Sequence, residues 1–292
     1  MVSGQVVEDV AVKLLRLAVT ELPKDVKDSL KQAYKEEDSA VGKSQLKAIL
    51  DNVELAEKTC TPICQDTGVI IFYVKAGSSF DGLDQIEDAL RKAVARATVE
   101  VPLRPNAVNP FTQKNTGNNN GRNFPYINWE IVPGDSLQIT VLPKGGGSEN
   151  VSALGMLNPG QGIAGIKKFV LDTVVKAGAK PCPPTILGIG VGGGADIAVK
   201  LAKGTLLKPL GQPNSEPELA KLEHELKESV NSTGIGPMGL GGKTTVLDVK
   251  IDYAYRHPAS YPVAVVVQCW AARRATARID SDGKVEYLSH KV

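Results

Sequence analysis

Cysteine is scarce. The chain has four in 292 residues, Cys60, Cys64, Cys182 and Cys269, too few and too spread out for the disulfide framework of a small secreted domain. Charge of one sign is also missing: 34 basic side chains stand against 32 acidic ones, for a net charge of +2. With no basic tail or stripe, a nucleic-acid partner is not expected. The opening MVSGQVVEDVAVKLLRLAVTEL carries acids early. It lacks both the basic leader of a signal peptide and the ~20 uninterrupted apolar residues of a membrane span. These absences predict a soluble, cytoplasmic protein with no membrane partner. What is present, 42% hydrophobic and 23% charged residues, is enough to bury roughly three quarters of the unfolded chain's surface.

Apolar residues at Val6, Val7, Val10, Leu14, Leu15 and Leu17 recur every three to four positions, as they do through 26–34 and 45–56. The first sixty residues therefore read as helices. VIIFYV, β-branched and aromatic, predicts a buried strand over 69–74. Asp81 or Asp84 offers an N-cap for a helix reaching Ala97. Between Val101 and Asn128 the composition turns to Pro, Asn and Gly, a long surface loop of the kind that often carries function. INWEIV and SLQITVL follow as strands around the turn PGD. Then come a helix over 163–177, the strand TILGIGV, helices over 196–203 and 218–230, and the strands YPVAVVVQCW, TARID and VEYL. The pattern predicts an α+β protein of one domain, 1–292. A helical N-terminal layer, about 1–60, packs on a body of small mixed sheets flanked by helices, about 61–292.

LGIGVGGGAD sets Gly188, Gly190 and Gly193 in the G-x-G-x-x-G order between a strand and a helix, but the acidic residue of a dinucleotide site is not where a second strand would end. The glycines equally allow close approach of backbone to a ligand or a neighbouring element. KGGGSEN lacks the G-K-[ST] ending of a phosphate loop. Its run of amides could meet a carboxylate or simply form a turn.

TPICQDTG puts a soft metal ligand, an amide and a carboxylate at successive positions, Cys64, Gln65 and Asp66. Cys182 lies in the stiff KPCPP, and Cys269 ends an apolar strand in QCWAARR. A structural zinc site is disfavoured, since there is no C-x-x-C and Cys60 with Cys64 forms a single C-x3-C without histidines nearby. Taken singly, each cysteine also suits the role of a buried small hydrophobe.

In PICQDTG, VPLRPNAV, NTGNNNG, KGGGSEN, KPCPPTILGIGVGGGAD, NSTGIGPMGLGG and VVVQCWAARR, in that order and across essentially the whole chain, the sequence resembles the α subunit of the class I fumarase and L-tartrate dehydratase family. The resemblance implies a 4Fe-4S cluster held by Cys64, Cys182 and Cys269, with one iron left open as a Lewis acid. Cys60 keeps the structural reading. The resemblance further places Gln65, Asp66, Arg104 and Gly147 against a dicarboxylate, with Asp66 as the catalytic acid/base. Asp66 could instead only cap the turn at Thr67–Gly68. Arg273 and Arg274 could tune the cluster through its sulfurs or lie solvated on the surface. Because the chain stops short of a single-chain class I fumarase, a separate β subunit is expected to complete the site, in an α2β2 heterotetramer. KGGGSEN favours fumarate as substrate, with L-tartrate as the alternative. A non-catalytic iron–sulfur scaffold or sensor would not need the carboxylate clamp.

Overall fold

The computed structural model describes residues 2–101 and 103–291; Pro102, inside VPLRPNAV, lies outside them. In chain order the elements are α1 (Gly4–Thr20), α2 (Lys24–Glu36), α3 (Ala40–Thr59), β1 (Val69–Gly77), α4 (Ile86–Glu100), β2 (Tyr126–Val132), β3 (Leu137–Lys144), the short α5 (Gly146–Glu149) and β4 (Ala153–Leu157). They continue with α6 (Gly162–Ala177), β5 (Thr185–Gly193), α7 (Ala195–Thr205), α8 (Pro217–Asn231), β6 (Val246–Arg256), β7 (Tyr261–Gln268), β8 (Ala275–Ile279) and β9 (Val285–Tyr287). The fold is α+β. The chain weaves between two compact units, one made of Met1–Lys24, Asn52–Gly145 and Arg273–Val292, the other of Asp25–Asp51 and Gly146–Ala272.

The first unit holds a sheet ordered β2-β1-β3-β8-β9, in which β1 runs parallel to β2 and antiparallel to β3. Because side chains alternate along a strand, Ile70, Phe72, Val74 and Ala76 of β1 all point to one face. There they meet Leu14, Leu15 and Ala18 of α1 and Leu90, Ala93 and Val94 of α4 in one buried core. Each fully buried Leu or Phe contributes about 1.5–3 kcal/mol. Ser3 caps α1 by accepting the Val6 amide. The expected cap of α4 is not there: neither Asp81 nor Asp84 serves, and the chain enters through Gly82, φ +93°, and a turn of 3-10 helix at Leu83–Gln85. Gln85 accepts a bond from the Gly4 amide instead.

The second unit carries a sheet ordered β4-β7-β5-β6. Leu187 and Ile189 of β5 pack with α6 and α8 on one face through Ile166, Val170, Leu222 and Leu226. The intervening Gly188 and Gly190 turn to α7, where an added Cβ would fall 2.1 Å from Ala202 O and 2.0 Å from Ala198 O. The G-x-G spacing is thus a packing device for a helix pressed against a strand. Strands β4 and β6 escape the sequence pattern: ALGML has no β-branched residue, and VLDVKIDYAYR breaks its apolar alternation with charges. Lys250 is nonetheless buried, paired with Asp248 at 3.0 Å. Among the described residues no helix is long and apolar enough to cross a membrane.

Candidate functional site

In the first unit Cys64, Gln65 and Asp66 occupy the bend between α3 and β1. Ile63, just before them, is tied down on both sides: its amide donates to Val19 O at 2.8 Å and its carbonyl accepts Asn52 Nδ2 at 2.9 Å. Gly68 closes the bend at φ +82°, where a Cβ would lie 2.7 Å from the Pro143 carbonyl carbon. Asp66 Oδ1 accepts the Gly68 amide at 2.9 Å, so the carboxylate does cap this turn. Its Oδ2 faces Gly145, whose missing side chain leaves the room: a Cβ there would be 3.2 Å from both Asp66 Oδ2 and Arg273 Nη2. Arg273 Nη1 donates to the Asp66 carbonyl oxygen. Cys64 and Asp66 are half-buried and Gln65 is exposed.

Arg104 is exposed, but its main chain is fastened to the same bend, its amide donating to Thr67 Oγ1 at 2.9 Å. Asn106 Nδ2 donates to Gly68 O at 3.0 Å. The first unit therefore gathers Cys64, Gln65, Asp66 and Arg104 around one turn.

In the second unit Cys182 has φ +55°, and its carbonyl accepts the Trp270 amide at 3.3 Å. That bond joins the Cys182 loop to Cys269, the first residue after β7. Both thiols are half-buried. Gly147, in α5, is exposed and sits beside the Cys182 segment, with Lys180 O 3.5 Å from where its Cβ would be.

Two readings change. Cys60 is exposed at the end of α3 with φ +52°, so it does not pack as a small hydrophobe. Arg273 and Arg274 are not solvated: they are 1% and 7% exposed. Arg273 Nε is buried without a hydrogen-bond partner. Thr67 and Asn119, which build the site without chemistry of their own, carried no signal beyond lying in TPICQDTG and NTGNNNG.

A model of the fumarate hydratase (fumerase) family matches residues 8–278. The chain belongs to this family. As a member it is an enzyme, a hydro-lyase. It is 50% identical over 283 residues to a Methanocaldococcus jannaschii protein provisionally named L(+)-tartrate dehydratase subunit alpha, covering 96% of this chain and 99% of that protein. It is 40% identical over 272 residues to L(+)-tartrate dehydratase subunit alpha of Escherichia coli K12, covering 93% of this chain and 90% of that protein. Among the described residues, no three His, Cys, Asp or Glu side chains are arranged to hold a single metal ion.

Proposed function

We propose that this chain is the cluster-bearing α subunit of a two-subunit hydro-lyase for a four-carbon dicarboxylate, with L(+)-tartrate as its substrate. The observation that carries the choice of substrate is the naming of relatives at 50% and 40% identity along nearly their whole length. Their designation as alpha subunits supports a separate β subunit here. Fumarate is the second reading, favoured by the KGGGSEN turn.

The kind of donor present supports a 4Fe-4S cluster. Cys64, Cys182 and Cys269 are half-buried thiols outside any disulfide, the soft donors such iron takes. The buried Arg273 Nε, on the guanidinium that holds the Asp66 turn, is a donor suited to an incoming acceptor. Once bound, the cluster supplies a Lewis acid that polarises the departing hydroxyl.

The chain's own groups do the rest. The Arg104 guanidinium offers a planar fork to one carboxylate, and its exposure leaves that fork accessible. The exposed Gly147 amide and Gln65 orient the substrate. Asp66 moves the proton that accompanies the leaving or entering water. Its carboxylate does two jobs: Oδ1 is engaged by Gly68, which fixes the side-chain torsion, and Oδ2 points past Gly145. A fixed torsion holds a proton-transfer group in reach without the entropy cost of a search. The proton next to the second carboxylate is left to a base on the β subunit. Loss of water from tartrate gives an enol that rearranges to a 2-oxo acid, whereas fumarate and malate interconvert without a keto product.

The test is anaerobic assay of the reconstituted αβ enzyme on both substrates. Formation of a 2-oxo acid from L-tartrate with the higher kcat/KM supports the reading. Preferred hydration of fumarate replaces it with the second, and no turnover of either at full iron content removes both.

A further inference from the structure

Asn119 lies in the most irregular part of the sequence, NTGNNNG, yet it is 1% exposed, directly after the exposed run 108–118. Its backbone is left-handed, φ +58°, a conformation asparagine tolerates better than most residues with a Cβ. Its amide makes three bonds: Oδ1 accepts the Asn106 amide at 2.6 Å, and Nδ2 donates to Arg104 O and to Thr98 Oγ1, both at 3.0 Å. The Thr98 hydroxyl gives its own proton to Val94 O at 2.7 Å, so toward Asn119 it can only accept. That fixes which end of the amide is nitrogen and makes the residue hard to replace. An aspartate would turn an oxygen toward two acceptors, and a glutamine would be one methylene too long.

The bonds form a closed frame. Arg104 is held at its amide by Thr67 and at its carbonyl by Asn119. Asn106 is held at its amide by Asn119 while its side chain grips Gly68 O. The exposed guanidinium of Arg104 thus springs from a main chain referenced to α4 on one side and to the Asp66 turn on the other.

We propose that Asn119 is a positioning residue that aims Arg104 at the substrate carboxylate and sets its separation from Asp66. This rests on the reading of Arg104 as a carboxylate-binding residue. A misdirected fork loses binding and leaves proton transfer nearly intact, because Asp66 keeps its own bonds to Gly68 and Arg273.

The experiment is steady-state kinetics of the reconstituted αβ enzyme, iron content matched, for Asn119→Asp, Arg104→Ala and the double variant. Asn119→Asp is expected to raise KM roughly tenfold with kcat changed less than about threefold, and to add nothing further in the Arg104→Ala background. Thr98→Val, which removes one of the three bonds, should raise KM by a smaller factor and decides the matter if Asn119→Asp does not fold. If Arg104→Ala raises KM while neither Asn119→Asp nor Thr98→Val does, positioning by Asn119 is overturned and Arg104 keeps its role. Effects of Asn119→Asp and Arg104→Ala that multiply independently overturn it too. An unchanged KM in Arg104→Ala removes the underlying reading and this inference together.

Discussion

The Asp66 turn and the cysteine loops of the second unit are built by different means. Around Asp66 nearly every fastening is a side chain bonded to main chain: Asp66 to Gly68, Thr67 to Arg104, Arg273 to Asp66, Asn119 to Arg104 and Asn106. Cys269 instead follows directly on β7, every residue of which is buried, Cys182 lies just before the largely buried β5, and a main-chain bond from Trp270 to Cys182 joins their loops. The first arrangement fixes direction, as the proposed roles of Asp66 in proton transfer and of Arg104 in carboxylate binding require. The second rests on the packing of the strands beside the loops. Changes to the bonding side chains of the first region should therefore read mainly in kcat and KM, whereas crowding the backbone in either region should read in stability.

The largest effect is expected at Asp66. Asp66→Asn keeps the turn-capping oxygen but cannot exchange a proton, and should lower kcat by roughly two to four orders of magnitude with little change in KM. Wild-type turnover in that variant would return Asp66 to a turn residue. Gly190→Ala strikes the second region: its Cβ would sit 2.0 Å from Ala198 O, and denaturant melts should show a loss of about 3 kcal/mol or more. Gly68→Ala combines the φ of +82° with a contact of 2.7 Å and should cost about 2–3 kcal/mol. A stability change at Gly190 no larger than at an exposed helix position would break the contrast drawn above. Arg104→Lys keeps the charge and loses the fork, so KM should rise by the equivalent of about 1–3 kcal/mol with kcat nearly unchanged.

Periodicity and composition displayed most of this fold. The helices of the first sixty residues and strands β1, β2, β3, β5 and β7 stand close to where the apolar pattern puts them. Strands β4 and β6 were hidden because their side chains do not follow the rule: one has no β-branched residue, the other buries a lysine beside an aspartate. The caps of α4 were misread since a carboxylate at the right spacing says nothing of the backbone angle at Gly82. No local pattern could display that 52–145 and 273–292 share a core, which brings Arg273 to Asp66 across about two hundred residues of sequence. The residues proposed to carry the chemistry are named by their motifs. Their supports are not, for Thr67 and Asn119 act through bonds that appear only once the loop is closed.

The measurement that bears most directly on the account is iron and acid-labile sulfide in anaerobically prepared single variants of the four cysteines. Cys64→Ser, Cys182→Ser and Cys269→Ser should each fall from about four iron and four sulfide per chain to near zero, while Cys60→Ser, changed at an exposed thiol, keeps the full complement. A full cluster in any of the first three, or its loss on changing Cys60 alone, would contradict the proposed ligand set.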